Sequence, residues 1–327
     1  MNSYSIGIDL GGTKILTVLA DKKTGEVLSF VKVKTKKDKG SDKLIKKIIK
    51  SVKEVIIAAD KKLSEIENIG MGAAGQTDRQ NGIIINAPNI GLQNVPIKEI
   101  LEKEFSKPVY LGNDVEVATI GEILFGSGKG ETDFVCIFAG TGVGSCIVQN
   151  GKIRYGATGS AGEIGHIIIE PNGRLCGCGA KGCLEAYASR LAIEKKIRAE
   201  LNRGVNSDII NYMKEDKPIK TAMLKKALEN NDKTVIDVLD ETCFYLSLGI
   251  ASIINFYNPS KIILGGGLIN GIDYFYEKTV KLAKENSLAV PSREIVFERA
   301  QLGDFSGAVG AAMLADYREI FLDDKNC

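Results

Sequence analysis

Asp9-Leu10-Gly11-Gly12-Thr13-Lys14 decides the fold. It closes a short apolar strand, Tyr4–Asp9, and presents in quick succession a carboxylate, two glycines, a hydroxyl and an amine. Glycine-rich turns leave backbone N–H groups free to hold phosphate oxygens. A carboxylate at a strand end suits Mg²⁺ held through water. The same residues also read as a tight hairpin that needs two glycines. The GxxxxGK[ST] spacing of a P-loop is absent. Strands over Ile15–Ala20 and Val27–Val33, divided by the turn at Thr24-Gly25, complete an antiparallel meander.

Outward from this stretch the pattern returns. Phe134–Ala139 reads as a strand, Gly140-Thr141-Gly142-Val143-Gly144 as a turn and Ser145–Gln149 as a strand, with Gly151-Lys152 turning into a further short one. The echo predicts a duplicated fold whose two glycine turns face each other across a cleft and grip a triphosphate from both sides. Between the copies, apolar residues at Leu44, Ile45, Ile48, Ile49, Val52, Val55 and Ile56 predict a helix over Ser41–Asp60, with Ser41 as N-cap. Strands follow at Ile66–Met71, before Gly72-Ala73-Ala74-Gly75, and at Val109–Leu111, before a helix that starts at Asn113-Asp114 and runs to about Phe125. Beyond the second copy the pattern is helical over Ser189–Tyr257. A buried strand at Lys261–Leu264 ends in Gly265-Gly266-Gly267, a late strand covers Ile295–Phe297, and one closing helix covers Phe305–Phe321.

Asp114 reads two ways. An Asp just after a strand can cap the next helix, or it can take the proton from a sugar hydroxyl as a phosphoryl group arrives. His166, Cys176, Cys178 and Cys183 form a sharper set: one imidazole and three thiols, with glycines at 177, 179 and 182 that let the sulfurs turn onto one point. Closed structural zinc sites use these ligands, and four of them leave no open coordination position. His166 is the only histidine, so a Ser-His or Cys-His triad is not expected. Glu163 and Glu185 flank the set, and a zinc knot would pin a carboxylate–imidazole–carboxylate group suited to several hydroxyls of one sugar ring. Cys136, Cys146 and Cys243 read as core thiols, and Cys327 as a tail thiol.

Composition narrows the class. The 327 residues carry 44% apolar and 26% charged side chains, ordinary for a globular chain, and the length suggests two domains or one large one. The formal net charge of +2 offers no basic field for nucleic acid or an anionic membrane. The basic run Lys32, Lys34, Lys36, Lys37, Lys39 reads as a solvated strand end and loop. No stretch approaches the ~20 apolar residues of a membrane span. Met1–Asp9 lacks a basic lead and an apolar core, so no secretory signal and a cytoplasmic location are expected.

Taken together, Asp9–Lys14, Gly162-Glu163-Ile164-Gly165-His166 and Cys176–Glu185 resemble the ROK family of repressors and sugar kinases, its bacterial glucokinase branch most closely. The resemblance runs from Ile6 to about Ala315. It implies an α/β, actin-like ATPase fold (ribonuclease H-like, hexokinase-type), duplicated, with two domains around a cleft: 1–115 plus 306–327, and a larger 116–305 with the zinc knot. It implies ATP and Mg²⁺ at Asp9, Gly11, Gly12, Thr13 and Lys14 and at Gly140, Thr141, Gly142 and Gly144, with Gly265 and Gly266 near the nucleoside. It implies Asp114 as catalytic base, with Asn89, Asn113, Glu163, His166 and Glu185 on the sugar, a structural Zn²⁺, and a homodimer or tetramer. Glu116 stands where family kinases often carry Asn. The expected activity is phosphorylation of an aldohexose, glucose first, at its 6-hydroxyl. Kinases for N-acetylglucosamine, N-acetylmannosamine, mannose or fructose are alternatives, as is a sugar-binding regulator or sensor. A repressor is disfavoured because the chain opens directly on its first strand.

Overall fold

In the computed structural model, which describes residues 3–35, 40–214 and 217–321, β1 (Tyr4–Leu10) is buried along nearly its whole length. That is the mark of a central strand covered on both faces. β1 pairs antiparallel with β2 (Lys14–Asp21), closing the hairpin at Leu10 and Ile15, and β2 pairs antiparallel with β3 (Val27–Lys34). β3 alternates half-buried with exposed residues, as an edge strand does. Its Lys32 pairs with Asp304 at 3.3 Å; Lys36, Lys37 and Lys39 lie outside the described residues.

α1 (Ser41–Ala58) carries the chain over to β4 (Ile66–Ala73), which lies parallel to β1. The cap of α1 is Gly40 rather than the expected Ser41, because that position needs φ 77°, which glycine adopts without strain. β5 (Gln76–Asp78), β6 (Ile83–Ala87) and β7 (Leu92–Val95) form a small separate antiparallel sheet. Strands this short alternate too little to be read from sequence. α2 (Ile97–Phe105) then leads to β8 (Val109–Asn113), parallel to β4, and α3 (Asp114–Phe125) begins at once.

The second copy repeats the plan. β9 (Phe134–Ala139), β10 (Val143–Gln149) and β11 (Lys152–Ile153) form the meander. After an irregular stretch come α4 (Glu185–Ala188), α5 (Arg190–Asn202), α6 (Thr221–Glu229) and α7 (Lys233–Tyr257). β12 (Lys261–Gly265) lies parallel to β9. α8 (Gly267–Gly271), α9 (Asp273–Glu285) and α10 (Ala289–Arg293) precede β13 (Val296–Arg299), parallel to β12. The strand orders β3-β2-β1-β4-β8 and β11-β10-β9-β12-β13 are therefore one topology used twice. This is the duplicated α/β architecture expected from the two glycine turns.

The chain divides into two compact units, Met1–Glu131 with Ala300–Cys327, and Thr132–Arg299. The expected division at 115/116 and 305/306 gives way because α3 packs on α11 (Ser306–Ala312) and stays with the first unit. Each unit has its own apolar core, Ile6, Ile8, Ile48, Ile69 and Leu111 in the first, Ile137, Leu246, Ile250, Ile262 and Phe275 in the second. Cys136 and Cys146 are buried opposite each other on β9 and β10, and the buried Cys243 thiol donates to the Phe275 carbonyl at 3.6 Å. Cys327 lies outside the described residues.

The single closing helix expected over Phe305–Phe321 is two, α11 and α12 (Leu314–Phe321), broken at Met313. The small residues of α11 let its backbone touch β4: a Cβ on Gly70 would lie 1.7 Å from the Ala311 carbonyl oxygen. The break then lets Leu314 and Tyr317, both fully buried, carry α12 past β4 and β8. No described helix is long and apolar enough to cross a membrane.

Candidate active site

In the first unit, Asp9 sits half-buried near the end of β1, and its carboxyl group packs against Gly307, where a Cβ would come within 3.0 Å of its Cγ. Burial pushes the Asp9 carboxyl up to about 7; Asp114 adds to the rise, Lys14 opposes it and Asp304 adds again. Three carboxylates, Asp9, Asp114 and Asp304, against two amines, Lys14 and Lys32, leave an excess of negative charge, which fits a hydrated divalent cation such as Mg²⁺. Lys14 pairs with Asp304 at 3.0 Å. Burial disfavours the Asp304 charge, yet Lys14 and Lys32 hold its carboxyl below the usual range. Asp304 was not among the sequence candidates. The Lys14–Asp304 pair joins residues 290 positions apart, and no local motif announces it.

The glycine turn between β1 and β2 is braced from one side. Gly11 N–H donates to the Lys14 carbonyl at 3.0 Å, and the Thr35 hydroxyl donates to the Gly11 carbonyl at 2.9 Å. Thr13 is exposed at its tip, and Asn89 lies beside Gly12, where a Cβ would meet the Asn89 Cβ at 3.5 Å.

The cap of α3 proves to be Asn113. Its Oδ1 accepts from the N–H groups of Val115 at 2.9 Å and Glu116 at 3.4 Å, while Glu116 Oε2 accepts from Asn113 N–H at 3.0 Å. This reciprocal capping box satisfies helix-start donors that would otherwise be orphaned. Asn113 Nδ2 also donates to the Gly75 carbonyl at 3.3 Å, so most of the Asn113 amide is already committed. Asp114 follows as the first residue of α3, half-buried and accepting from Val115 N–H at 3.0 Å. Glu116 is buried and takes a further bond from Arg79 Nε at 2.6 Å. The Arg79 contact has no sequence signal; the capping box was legible in Asn113–Glu116.

In the second unit the turn Gly140–Gly144 is gripped by the segment that follows it. Ser145 Oγ donates to the Gly162 carbonyl at 2.5 Å, and Arg190 N–H donates to the Gly140 carbonyl at 2.9 Å. Glu185 Oε2 accepts from Val143 N–H at 3.0 Å, and a Cβ at 142 would lie 2.2 Å from that oxygen, so a side chain there would push the Glu185 carboxylate off this bond. Glu185, expected on the sugar, is held by this bond against the second glycine turn. Gly265 pairs in register with Phe138, and a Cβ on Gly266 would fall 2.4 Å from the Ala139 carbonyl, so both glycines stand beside this turn.

His166, Cys176, Cys178 and Cys183 converge, with one ligand atom from each lying within 4.8 Å of the others. Cys178 Sγ and Cys183 Sγ are 3.7 Å apart, and Cys176 Sγ lies 3.8 Å from His166 Nδ1. A tetrahedral zinc with bonds of roughly 2.3 Å to sulfur sets its sulfurs about 3.8 Å apart, so the four groups fit that ion. Tight turns shape the set: Cys176 N–H donates to the Ala180 carbonyl at 2.8 Å, and Gly179 N–H to the Cys176 carbonyl at 3.1 Å. Burial pushes the Cys183 thiol up to about 12, while the Ala180 N–H holds Cys178 below its ordinary value. A metal would displace these protons. Glu163 is exposed one residue before the short helical turn Ile164–His166.

The candidates thus gather into one set per unit: Asp9, Gly11, Gly12, Thr13, Lys14, Asn89, Asn113 and Asp114 in the first, and the second glycine turn, the metal-type cluster, Glu163, Glu185, Gly265 and Gly266 in the second. Residues 5–318 match the family described as the ROK family. A glucokinase of Halalkalibacterium halodurans is 32% identical over 99% of this chain and 98% of its own length. A glucokinase of Streptomyces coelicolor is 34% identical over 95% of this chain and 97% of its own. The crystal structure of a ROK family glucokinase from Streptomyces griseus in complex with glucose and AMPPNP superposes with a TM-score of 0.85, at 32% identity, over 95% of this chain and 99% of that one.

Proposed function

The chain belongs to the ROK family, and from that premise we propose that it is a glucokinase, transferring the γ-phosphoryl group of ATP to the 6-hydroxyl of glucose. It has the duplicated actin-like ATPase fold of the hexokinase type. The observation that carries the reading is the likeness, over 95% of the chain, to a glucokinase crystallised with glucose and AMPPNP.

Asp114 is the general base. Its carboxylate takes the 6-hydroxyl proton as the new O–P bond forms, and the bond from γ-phosphorus to the bridging oxygen breaks with its electron pair leaving on ADP. Gly11, Gly12 and Thr13, and Gly140, Thr141, Gly142 and Gly144, form the two turns that receive the phosphate oxygens, through backbone N–H groups other than those of Gly11 and Gly140, which are spent on the Lys14 and Gly142 carbonyls, with Lys14 adding a positive charge. Asp9 is the carboxylate that would hold Mg²⁺, which would supply neutralisation of the charge developing on the phosphates. Gly265 and Gly266 lie beside the nucleoside.

Asn89, Asn113, Glu163, His166 and Glu185 orient the sugar ring. The Cys₃His set would hold a structural zinc, and with His166 Nδ1 the ring nitrogen 3.8 Å from Cys176 Sγ, Nε2 would be left for a sugar hydroxyl. The protein acts as a homodimer or tetramer in the cytoplasm, where it feeds glucose into glycolysis, and its net charge of +2 offers no broad basic field for nucleic acid.

The test is ADP release from ATP with glucose, N-acetylglucosamine, N-acetylmannosamine, mannose and fructose in parallel. Glucose is expected to give the highest kcat/KM. Asp114→Ala is expected to lower kcat by about 10²–10⁴-fold while glucose still binds. Full activity in that variant ends the proposal.

A further inference from the structure

Arg190 opens α5, directly after Ser189, whose hydroxyl caps the helix by accepting from Ala192 N–H at 3.1 Å. Its side chain is only 12% exposed. Its backbone N–H ties the start of α5 to the Gly140 carbonyl. The guanidinium donates from Nη1 to the Ile219 carbonyl at 3.0 Å, lies 3.6 Å from Glu194, and reaches Thr141 Oγ1 with Nη2 in a long contact of 3.5 Å. Glu194 also takes Arg198 Nε at 3.1 Å, so its charge is shared between two arginines.

The Gly140 N–H closes the backbone around Thr141 by donating to the Gly142 carbonyl at 2.9 Å, but neither glycine has a side chain to hold the Thr141 hydroxyl, whose contact comes from outside the turn. A second consideration is charge. The turn already carries the Glu185 carboxylate on its Val143 N–H. An arriving phosphate meets that negative charge unless a cation offsets it, and the Arg190 guanidinium is the cation in contact with the turn among the described hydrogen bonds. Capping the Ile219 carbonyl alone needs no charge; a neutral donor does the same.

We propose that Arg190 is a donor-positioning residue: its guanidinium fixes Thr141, and through it the Gly140–Gly144 turn, in the form that takes the terminal phosphates of a nucleoside triphosphate. The inference rests on the kinase reading above and adds to it a residue that carries donor affinity.

The test compares wild type with Arg190→Ala and Arg190→Lys, using steady-state kinetics and calorimetric binding of ATP and of AMP. In Arg190→Ala the KM and Kd for ATP are expected to rise about tenfold, with KM for glucose and Kd for AMP within about twofold of wild type. Arg190→Lys is expected to fall between, since an ammonium keeps the charge but not the fork that serves Thr141 and Ile219 together. ATP parameters unchanged in both variants overturn the proposal. So does an equal loss for ATP and AMP, which marks a general loosening of the unit. If Arg190→Ala does not fold, Arg190→Lys decides alone: a KM for ATP raised at least about threefold with glucose KM unmoved supports the role, and a wild-type value sinks it. A wild-type chain that phosphorylates no sugar sinks the kinase reading instead, and is seen before any variant is made.

Discussion

At Asp9 the protein keeps a carboxyl group whose charge is disfavoured by burial and by Asp114 and Asp304 nearby. Its value of about 7 in the folded chain lies above the ordinary 3.8. The native state therefore binds the proton more tightly than the unfolded chain does. The stability this group contributes is fully present below the ordinary value and is lost as pH rises through about 7. Asp9→Asn removes a charge that exists only at the upper end. In magnesium-free buffer that variant is expected to melt at a higher temperature than wild type at pH 8, with the difference closing towards pH 4, as read by scanning calorimetry. Equal melting temperatures at pH 8 defeat the account. A poorly solvated carboxylate kept at a cost in stability is suited to receiving a cation. Asn113 shows the opposite economy, since one amide both caps α3 and ties the Gly75 carbonyl.

Among the elements, the loop that carries the Cys₃His set reaches further than its ligands. Two residues after Cys183, Glu185 holds Val143 N–H on the second glycine turn. Removing the metal is expected to loosen Glu163–Glu185 and weaken glucose binding most, with a smaller loss for ATP passed on through the Glu185–Val143 bond. Elemental analysis should find one zinc per chain, and titrations before and after chelation measure both affinities. A chelated protein with undiminished glucose affinity refutes the link. α11 makes a different demand. Because Gly70 lies against the Ala311 carbonyl, Gly70→Val has no room to relax without moving a helix. Its cost is expected at about 1–3 kcal/mol or more in denaturant unfolding, the usual range for overpacking. An unchanged midpoint contradicts the packing described.

For the whole molecule, the repeated strand order explains why the candidate residues come as two sets. Each meander ends its first strand in a glycine turn, at Gly11–Gly12 and at Gly140–Gly144, and each places a parallel strand beside that turn. A ligand that binds only the folded chain stabilises it by mass action, and glucose at a hundred times its dissociation constant adds about 2.7 kcal/mol. A clear rise in melting temperature with glucose is expected, and a smaller one with N-acetylglucosamine at the same concentration. The reverse order, read by thermal shift, points to a different family sugar as the substrate.

Local chemistry alone determined a good deal of this protein. The glycine turns with their flanking strands, the Cys₃His cluster and the start of α3 were all legible, because each is made by residues close together in the chain. The partners that tune them were not. Asp304 reaches Lys14 across 290 positions, Arg79 reaches Glu116 across 37, and Arg190 reaches Thr141 across 49. The small sheet β5–β7 and the break at Met313 also arose only in the fold, where packing against neighbours overrides weak local preference. The physical reason is one of range. Turn geometry and metal-ligand spacing are fixed by a few adjacent dihedral angles, whereas a salt bridge or a steric limit exists only once distant segments have been brought into contact.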